Sequence, residues 1–246
     1  MTGILVKPKY LLGHFLVIVI AISCFMLSSW QFSRLNERKD LNKKISARMT
    51  AKTLELSTIE NISKKKITSD EFISENEYRK VRLSGKFYKS GSVLILGRSL
   101  EGDPGYNLMV PLQTTISNQE KFVYINVGFL PTTLGEAISF NDEPMTNAFN
   151  KIGDDVTYSF IGLIRKNESK SLFGSDDQLK EDKTSNRINV NLYKDRIGEK
   201  EAKTLQSEFW IQLIDYDKEI SIEKYPKALP LPELTEKNHL NICRFI

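Results

Sequence analysis

Between Tyr10 and Trp30 the chain reads YLLGHFLVIVIAISCFMLSSW, without one Asp, Glu, Lys or Arg. A lone segment in hydrocarbon must satisfy every backbone N–H and C=O internally, which leaves an α-helix. At 1.5 Å per residue, roughly twenty residues match a hydrocarbon core about 30 Å thick. Tyr10 and Trp30 bracket the run where interfacial aromatics sit. The expectation is a retained transmembrane helix over residues 10–30, preceded by a short tail over residues 1–9.

Two other readings of this run stay open. A cleaved secretory signal has a shorter apolar core, about 7–15 residues, whereas this one continues through Phe25, Met26 and Leu27. Ala21-Ile22-Ser23-Cys24 is faintly similar to the lipidation box of bacterial lipoproteins without its usual leucine, which would make the chain an exported lipoprotein-like binding protein. His14 lies about one turn inside the span, where a headgroup contact accounts for it. Beyond the span, Leu41, Ile45 and Met49 recur at spacing four, so residues 31–77 read as a helical and linker region that leaves the bilayer.

The next constraint is an alternation. Val81, Leu83 and Phe87 share one parity and Arg82, Ser84 and Lys86 the other, as in a strand with one buried face. Apolar runs follow at Val93 to Leu96, Leu108 to Leu112 and Phe122 to Phe129, separated by turn-forming stretches at Glu101 to Gly105 and Thr114 to Glu120. The pattern predicts an antiparallel meander. Gly85, Gly105 and Gly128 fall in or beside these strands and are read as sites of bulging or curvature, with ligand contact as the less economical reading.

Further along, Asn141 to Pro144 reads as a turn, and Val156, Tyr158, Phe160, Gly162 and Ile164 alternate as another half-buried strand. Arg165 to Lys183 reads as an exposed polar loop, and Arg187 to Leu192 as a strand. Ile197, Ala202 and Leu205 stand near helical spacing before a strand over Phe209 to Ile214, in which Trp210 fills the core. The fold class expected is α+β: a mainly antiparallel β domain, barrel- or sandwich-like, over residues 78–237, with one N-terminal transmembrane helix.

Composition removes several functions. The two cysteines, Cys24 and Cys243, cannot form a disulfide framework, and the two histidines, His14 and His239, cannot form a protein-only metal cluster. A net charge of +4 with both signs interspersed argues neither for nor against nucleic acid, but the lack of an arginine-rich helix, zinc spacing or aromatic RNA platform argues against it; Lys64-Lys65-Lys66 reads as a solvated loop. The chain carries no Walker loop, nucleophile elbow or dinucleotide fingerprint, and a Ser-His-Asp arrangement would need a histidine beside the membrane. An enzyme is the weaker hypothesis.

Several blocks in order carry a resemblance. These are Tyr78-x-x-Val81-Arg82-Leu83-x-Gly85-x-Phe87, Gly97-Arg98-Ser99, Gly105-Tyr106 with Pro111-Leu112, and Asn126-Val127-Gly128-Phe129-Leu130-Pro131. Together they resemble the surfeit-locus protein one family of cytochrome c oxidase assembly factors. Trp30-Gln31-x-x-Arg34 at the exit of the first span is similar to the same family, and Asp215 matches the end of its last strand. Val127 stands where the family carries an arginine, so no role of that arginine is carried over.

The resemblance implies a membrane-anchored, non-enzymatic factor for the respiratory chain. Such a factor acts on the haem-bearing oxidase subunit, or with other assembly factors, and holds or presents haem a transiently. It also implies a bacterial inner-membrane protein with its bulk outside the cytoplasm, or a mitochondrial inner-membrane protein in a eukaryote. Charge counting points the other way, since Lys7 and Lys9 precede the span while Arg34, Arg38, Lys39, Lys43 and Lys44 follow it. Family members close with a Glu/Asn-His-Leu motif that opens a second transmembrane helix bearing Thr-Trp-Tyr/Phe. Here Asn238-His239-Leu240 is followed by only six residues, so residues 238–246 are read as a truncated remnant of that helix, the alternative being a natural single-anchor variant. Imidazole is a usual axial ligand of haem iron, which makes His239 the candidate haem a ligand; the alternative is an interfacial histidine in a tethered scaffold module that carries no cofactor.

Overall fold

The computed structural model describes residues 8–55, 69–116, 119–132, 156–170, 184–216 and 226–232. The turn expected at Asn141 to Pro144, Lys64 to Lys66, His239 and Cys243 lie outside the described residues. The chain divides into two compact units, one of residues 1–47 with 234–246, the other of residues 48–233.

In the first unit the helix α1 (Pro8–Thr50) runs without a break. At 1.5 Å per residue it is about 65 Å long, twice what a bilayer core requires. Its first half is the one described helix long and apolar enough to cross a membrane, and it is bare: Leu12 is 75% exposed and Phe25 76%. Ser23 donates its hydroxyl to the Val19 carbonyl at 2.8 Å, so this polar side chain is satisfied within the helix.

The second unit is a barrel. Its strands are β1 (Leu54–Glu55), β2 (Lys80–Phe87), β3 (Val93–Leu100), β4 (Asp103–Ile116), β5 (Gln119–Pro131), β6 (Tyr158–Lys166), β7 (Thr184–Ser185) and β8 (Leu205–Tyr216), in the order β1-β2-β6-β8-β5-β4-β3-β7. An additional β2–β4 pairing closes β2, β6, β8, β5 and β4 into a ring. Most pairings are antiparallel; β5 with β8, and the two-residue β1 and β7 with β2 and β3, are parallel.

The expected meander holds from β3 to β5 but not from β2 to β3. β4 is long enough to hold both strands end to end along one edge. β3 pairs from Met109 back to Asp103, and β2 takes Gln113 and Leu112. A 3-10 turn at Lys89–Gly91 makes the step between them. Pro111, which has no N–H to offer, sits on β4 where one partner leaves and the next arrives, and its carbonyl accepts the Tyr88 N–H at 2.8 Å.

Burial explains why some strands alternate in sequence and others do not. Val81, Leu83 and Phe87 of β2 enter the main core while Arg82, Ser84 and Lys86 face outward and stay exposed. At residues 93–95 of β3 and over the middle of β4, β5 and β8 both faces are covered. Leu94, Val110, Ile125 and Ile211 fill the barrel, while Val93, Ile95, Met109, Tyr124 and Trp210 join Ile188, Val190 and Tyr193 in a second core outside it. A strand buried on both sides reads as a continuous apolar run. The helix α2 (Ser69–Asn76) adds Phe72 and Ile73 to the barrel core.

Three sequence expectations are corrected. Val156 is exposed and outside β6, which begins at Tyr158. Arg187 to Leu192 forms no strand. Ile188 N–H is taken by the Glu168 carboxylate, and Asn189 accepts from Asn191 N–H to cap a 3-10 turn at Val190–Tyr193, so its apolar residues cover the outer core from a turn. The helical pattern after Asp195 is two short helices, α3 (Lys194–Ile197) and α4 (Glu199–Ala202), parted by Gly198 at φ 98°, and Leu205 already belongs to β8.

The glycines mark close approach. A Cβ on Gly85 would lie 2.2 Å from the Gln113 carbonyl oxygen where β2 meets β4, and one on Gly105 would lie 2.4 Å from the Phe129 ring. Glu101 and Gly102 both have positive φ, the geometry of a two-residue hairpin between β3 and β4. These two kinds of glycine give a prediction. Gly85→Ala, which meets backbone, costs about 3 kcal/mol or more. Gly102→Ala, which meets nothing within 4 Å but keeps φ at 94°, costs about 1 kcal/mol. Chemical denaturation of the full chain in detergent measures both, and equal costs would show that barrel closure does not depend on Gly85.

Candidate functional site

The family-like blocks converge on two polar clusters on the outer face of the sheet. The first spans β6, β8, β5 and β4. Gln212 of β8 pairs in register with Asn126 of β5, and Asn107 lies on β4 beyond it; all three side chains are buried. Arg165 of β6 donates from Nη1 to Gln212 Oε1 at 2.8 Å, and Gln212 Nε2 donates to the Pro230 carbonyl at 3.0 Å. The Arg165 guanidinium lies over the Tyr78 ring at 4.8 Å and the Trp210 ring at 5.5 Å, within cation–π range. Asn126 Nδ2 and Asn107 Oδ1 have no hydrogen-bond partner.

Tyr78 is held in an uncommon conformation for this contact. Its φ is 69°, and its N–H donates to the Ile164 carbonyl at 2.8 Å while Ile164 N–H returns to Arg79 O at 3.1 Å. Burial raises its phenol above the usual tyrosine range; the neighbouring Glu77 adds to that, and Arg165 and Arg48 oppose it. Arg48 fastens the end of α2, donating to Ser74 O at 2.6 Å and Glu77 O at 3.3 Å.

The second cluster centres on Glu168. Its Oε2 accepts Arg98 Nη2 at 2.7 Å and Ile188 N–H at 2.9 Å, and its carbonyl accepts Arg187 Nη1 at 2.6 Å. Asn167 Nδ2 donates to Ser207 O at 2.8 Å and its Oδ1 accepts Val190 N–H at 3.1 Å. Trp210 is 4% exposed, with its indole N–H on Lys166 O at 2.9 Å, so it fills the outer core as its sequence context implied. Arg165 and Glu168 were read from sequence as part of an exposed loop. Neither carries a local signal, because the side-chain partners, Gln212 for Arg165 and Arg98 for Glu168, lie more than 40 positions away.

The remaining sequence candidates are not gathered. His14 and Cys24 lie exposed along α1, and Asp215 is exposed on β8. Gly85, Gly105 and Gly128 serve close packing. Val127 is the extra residue of a bulge between Asn126↔Met109 and Gly128↔Leu108, and its side chain is 2% exposed in the barrel core. A cleft of about 200 Å³ opens where β2 and β4 part, lined by Glu55, Arg82, Ser84, Thr114, Thr115 and Ser159. Among the described residues no three His, Cys, Asp or Glu side chains converge. Both clusters present hydrogen bonds, the first with a stacked guanidinium and the second with an ion pair, which suit holding and docking.

A profile of the SURF1 family matches residues 18–241. A SURF1-like protein of Dictyostelium discoideum is 30% identical over 123 residues, 49% of this chain and 43% of that protein. Surfeit locus protein 1 of Xenopus tropicalis is 26% identical over 166 residues, 64% of this chain and 50% of that protein. The chain thus spans about half the length of the curated relatives it matches.

The outer core predicts a loss of stability in alkali. Tyr124 and Tyr193 stack edge to face at 5.2 Å. Burial, the largest cause, pushes Tyr193 up to about 12 and Tyr124 higher still. Unfolded tyrosines release their protons near pH 10, so between pH 10 and 12 the unfolded chain binds fewer protons than the native one. Stability contributed by Tyr193 is whole below pH 10 and falls by about 1.4 kcal/mol per pH unit until pH 12. Denaturant midpoints measured across that window should fall less steeply for Tyr193→Phe than for wild type; an unchanged slope would remove Tyr193 from the alkaline transition.

Proposed function

The chain belongs to the SURF1 family, and from that premise we propose that it is a membrane-anchored, non-catalytic factor in the assembly of cytochrome c oxidase. The observation that carries this reading is the family match itself, which begins inside the apolar half of α1 and runs through the whole barrel. Support comes from the site chemistry: stacked guanidinium, buried amides and ion pairs engage by contact. α1 anchors the chain, and the barrel works outside the cytoplasm of a bacterium, or between the membranes of a mitochondrion. Long domains cross a membrane largely regardless of flanking charge, so the excess of Lys and Arg after the span does not weigh against this orientation.

The client is the haem-bearing subunit of the oxidase, and haem a is the cofactor held or presented while that subunit folds. His239 is the residue of this chain suited to ligate the iron; an imidazole supplies an axial ligand, and the bilayer edge receives the apolar tail of such a haem. The competing reading is a tether that touches oxidase subunits without touching haem.

Two measurements decide between them. Removal of the gene should lower oxidase activity and the haem a content of membranes together, and unchanged levels of both would refute a role in oxidase assembly. The full chain purified with haem a should show a Soret band that His239→Ala weakens by at least about tenfold in haem affinity. Identical spectra would remove His239, and wild type lacking the band while co-purifying with oxidase subunits would establish the tether.

A further inference from the structure

The segment 226–232, PKALPLP, lies in the barrel's own unit and is stitched to it at a place the β-strands leave open. β5 pairs with β8 from Phe122↔Leu205 to Asn126↔Gln212, after which β8 continues along β6 and abandons the edge of β5. An unpaired edge is a liability that a covering segment removes. Here Lys227 takes it, with Phe129 N–H donating to Lys227 O at 2.8 Å and Lys227 N–H returning to Phe129 O at 2.9 Å. From the other side Gln212 Nε2 reaches the Pro230 carbonyl at 3.0 Å.

Gly128 is what lets the segment come so near. A Cβ there would stand 2.5 Å from Lys227 O and 2.9 Å from Pro226 Cβ, and the residue's φ is 144°. Asn126 Oδ1 accepts the Gly128 N–H at 3.2 Å and so holds this backbone in place. Pro226, Pro230 and Pro232 fix φ at three of seven positions, so an extended strap loses little entropy on docking. The outer Lys227–Glu101 pair, 3.8 Å apart and largely solvated, adds little.

We propose that Asn126, Gly128 and Gln212 form a seat for this proline-rich strap, and that they are positioning residues which fix where the chain leaves the barrel on its way to residue 239. Seated, the strap leaves seven residue steps from Pro232 to His239, a reach of at most about 24 Å when extended. Unseated, the last described strand ends at Tyr216, and the 23 residue steps to His239 reach at most about 78 Å when extended. A shorter tether raises the local concentration of whatever it carries. The seat rests only on described geometry; its consequence for haem rests on the reading of His239 above.

Hydrogen exchange in the full chain in detergent reads the seat directly. In Gly128→Ala the amides of Phe129 and Lys227 should exchange at least about tenfold faster than in wild type, while Val123 and Ile125 of the same strand stay protected. Gly102→Ala, which strains φ without touching the strap, should leave both amides slow. Lys227→Pro deletes one strap donor, keeps Gly128 intact, and should free Phe129 N–H in the same way, so the test survives if Gly128→Ala does not fold. Protected amides in a folded Gly128→Ala, or in Lys227→Pro, would overturn the seat. Where wild type binds haem a, both variants should weaken it while retaining His239; freed amides with unchanged haem affinity would refute the positioning role and keep the seat. A wild type without a Soret band would count against the haem reading alone.

Discussion

β4 carries two strands along one edge, and the barrel closes because β2 occupies the part that β3 leaves. Only Lys86↔Gln113 and Phe87↔Leu112 make that closure in register, helped by Thr114 Oγ1 donating to Ser84 O at 2.6 Å. So few pairs suffice because Gly85 brings the two backbones closer than any side chain permits. Once β2 meets β4, Val81, Leu83 and Phe87 face the interior residues of the other strands, and Phe87 stacks on Phe160 at 5.9 Å. Burial at about 25 cal/mol per Å² of apolar surface then makes the closed ring favourable.

The bulge at Val127 is the second constraint, because it changes parity. Before it Val123 and Ile125 face the barrel; after it Leu130 does, and Phe129 turns outward onto Gly105. One inserted residue therefore lets a single strand serve the inner core, the outer face and the strap in turn. That a valine occupies the bulge has a clear physical reason in this chain, since its side chain enters an apolar interior.

Legibility followed the range of the interactions. β2 was readable because one of its faces meets solvent and the alternation survives in the sequence, and the apolar runs of β3, β4 and β5 were readable as strands although their two-sided burial erased any alternation. The barrel's closure was hidden, because end-to-end placement of β2 and β3 depends on the length of β4 and on Pro111. Arg187 to Leu192 misled for a related reason. Its apolar residues do cover a sheet, but the hydrogen bonds that decide its conformation come from Glu168 and Asn189 side chains and leave no periodic trace. Of the candidate site, Tyr78, Arg98, Asn126 and Gly128 stood out as members of recognisable blocks, whereas Arg165, Glu168 and Gln212 carried no signal, since each matters only through a partner distant in sequence.

The recognisable blocks themselves turn out to be construction. Gly85 and Gly105 admit neighbouring backbone or ring, Arg98 fastens Glu168 beneath the turn that covers the outer core, Tyr78 stacks on Arg165, and Asn126 with Gly128 receives the strap. Arg98 Nη2 and Asn126 Oδ1 are engaged within the barrel, while Asn126 Nδ2 is left without a partner. On the reading proposed above, the specific chemistry sits in the segments that this platform presents. The strap gives that argument a direction, because it is the one described segment whose contacts set the starting point of the chain toward residue 239. On this view the barrel contributes to oxidase assembly, as proposed, by holding geometry.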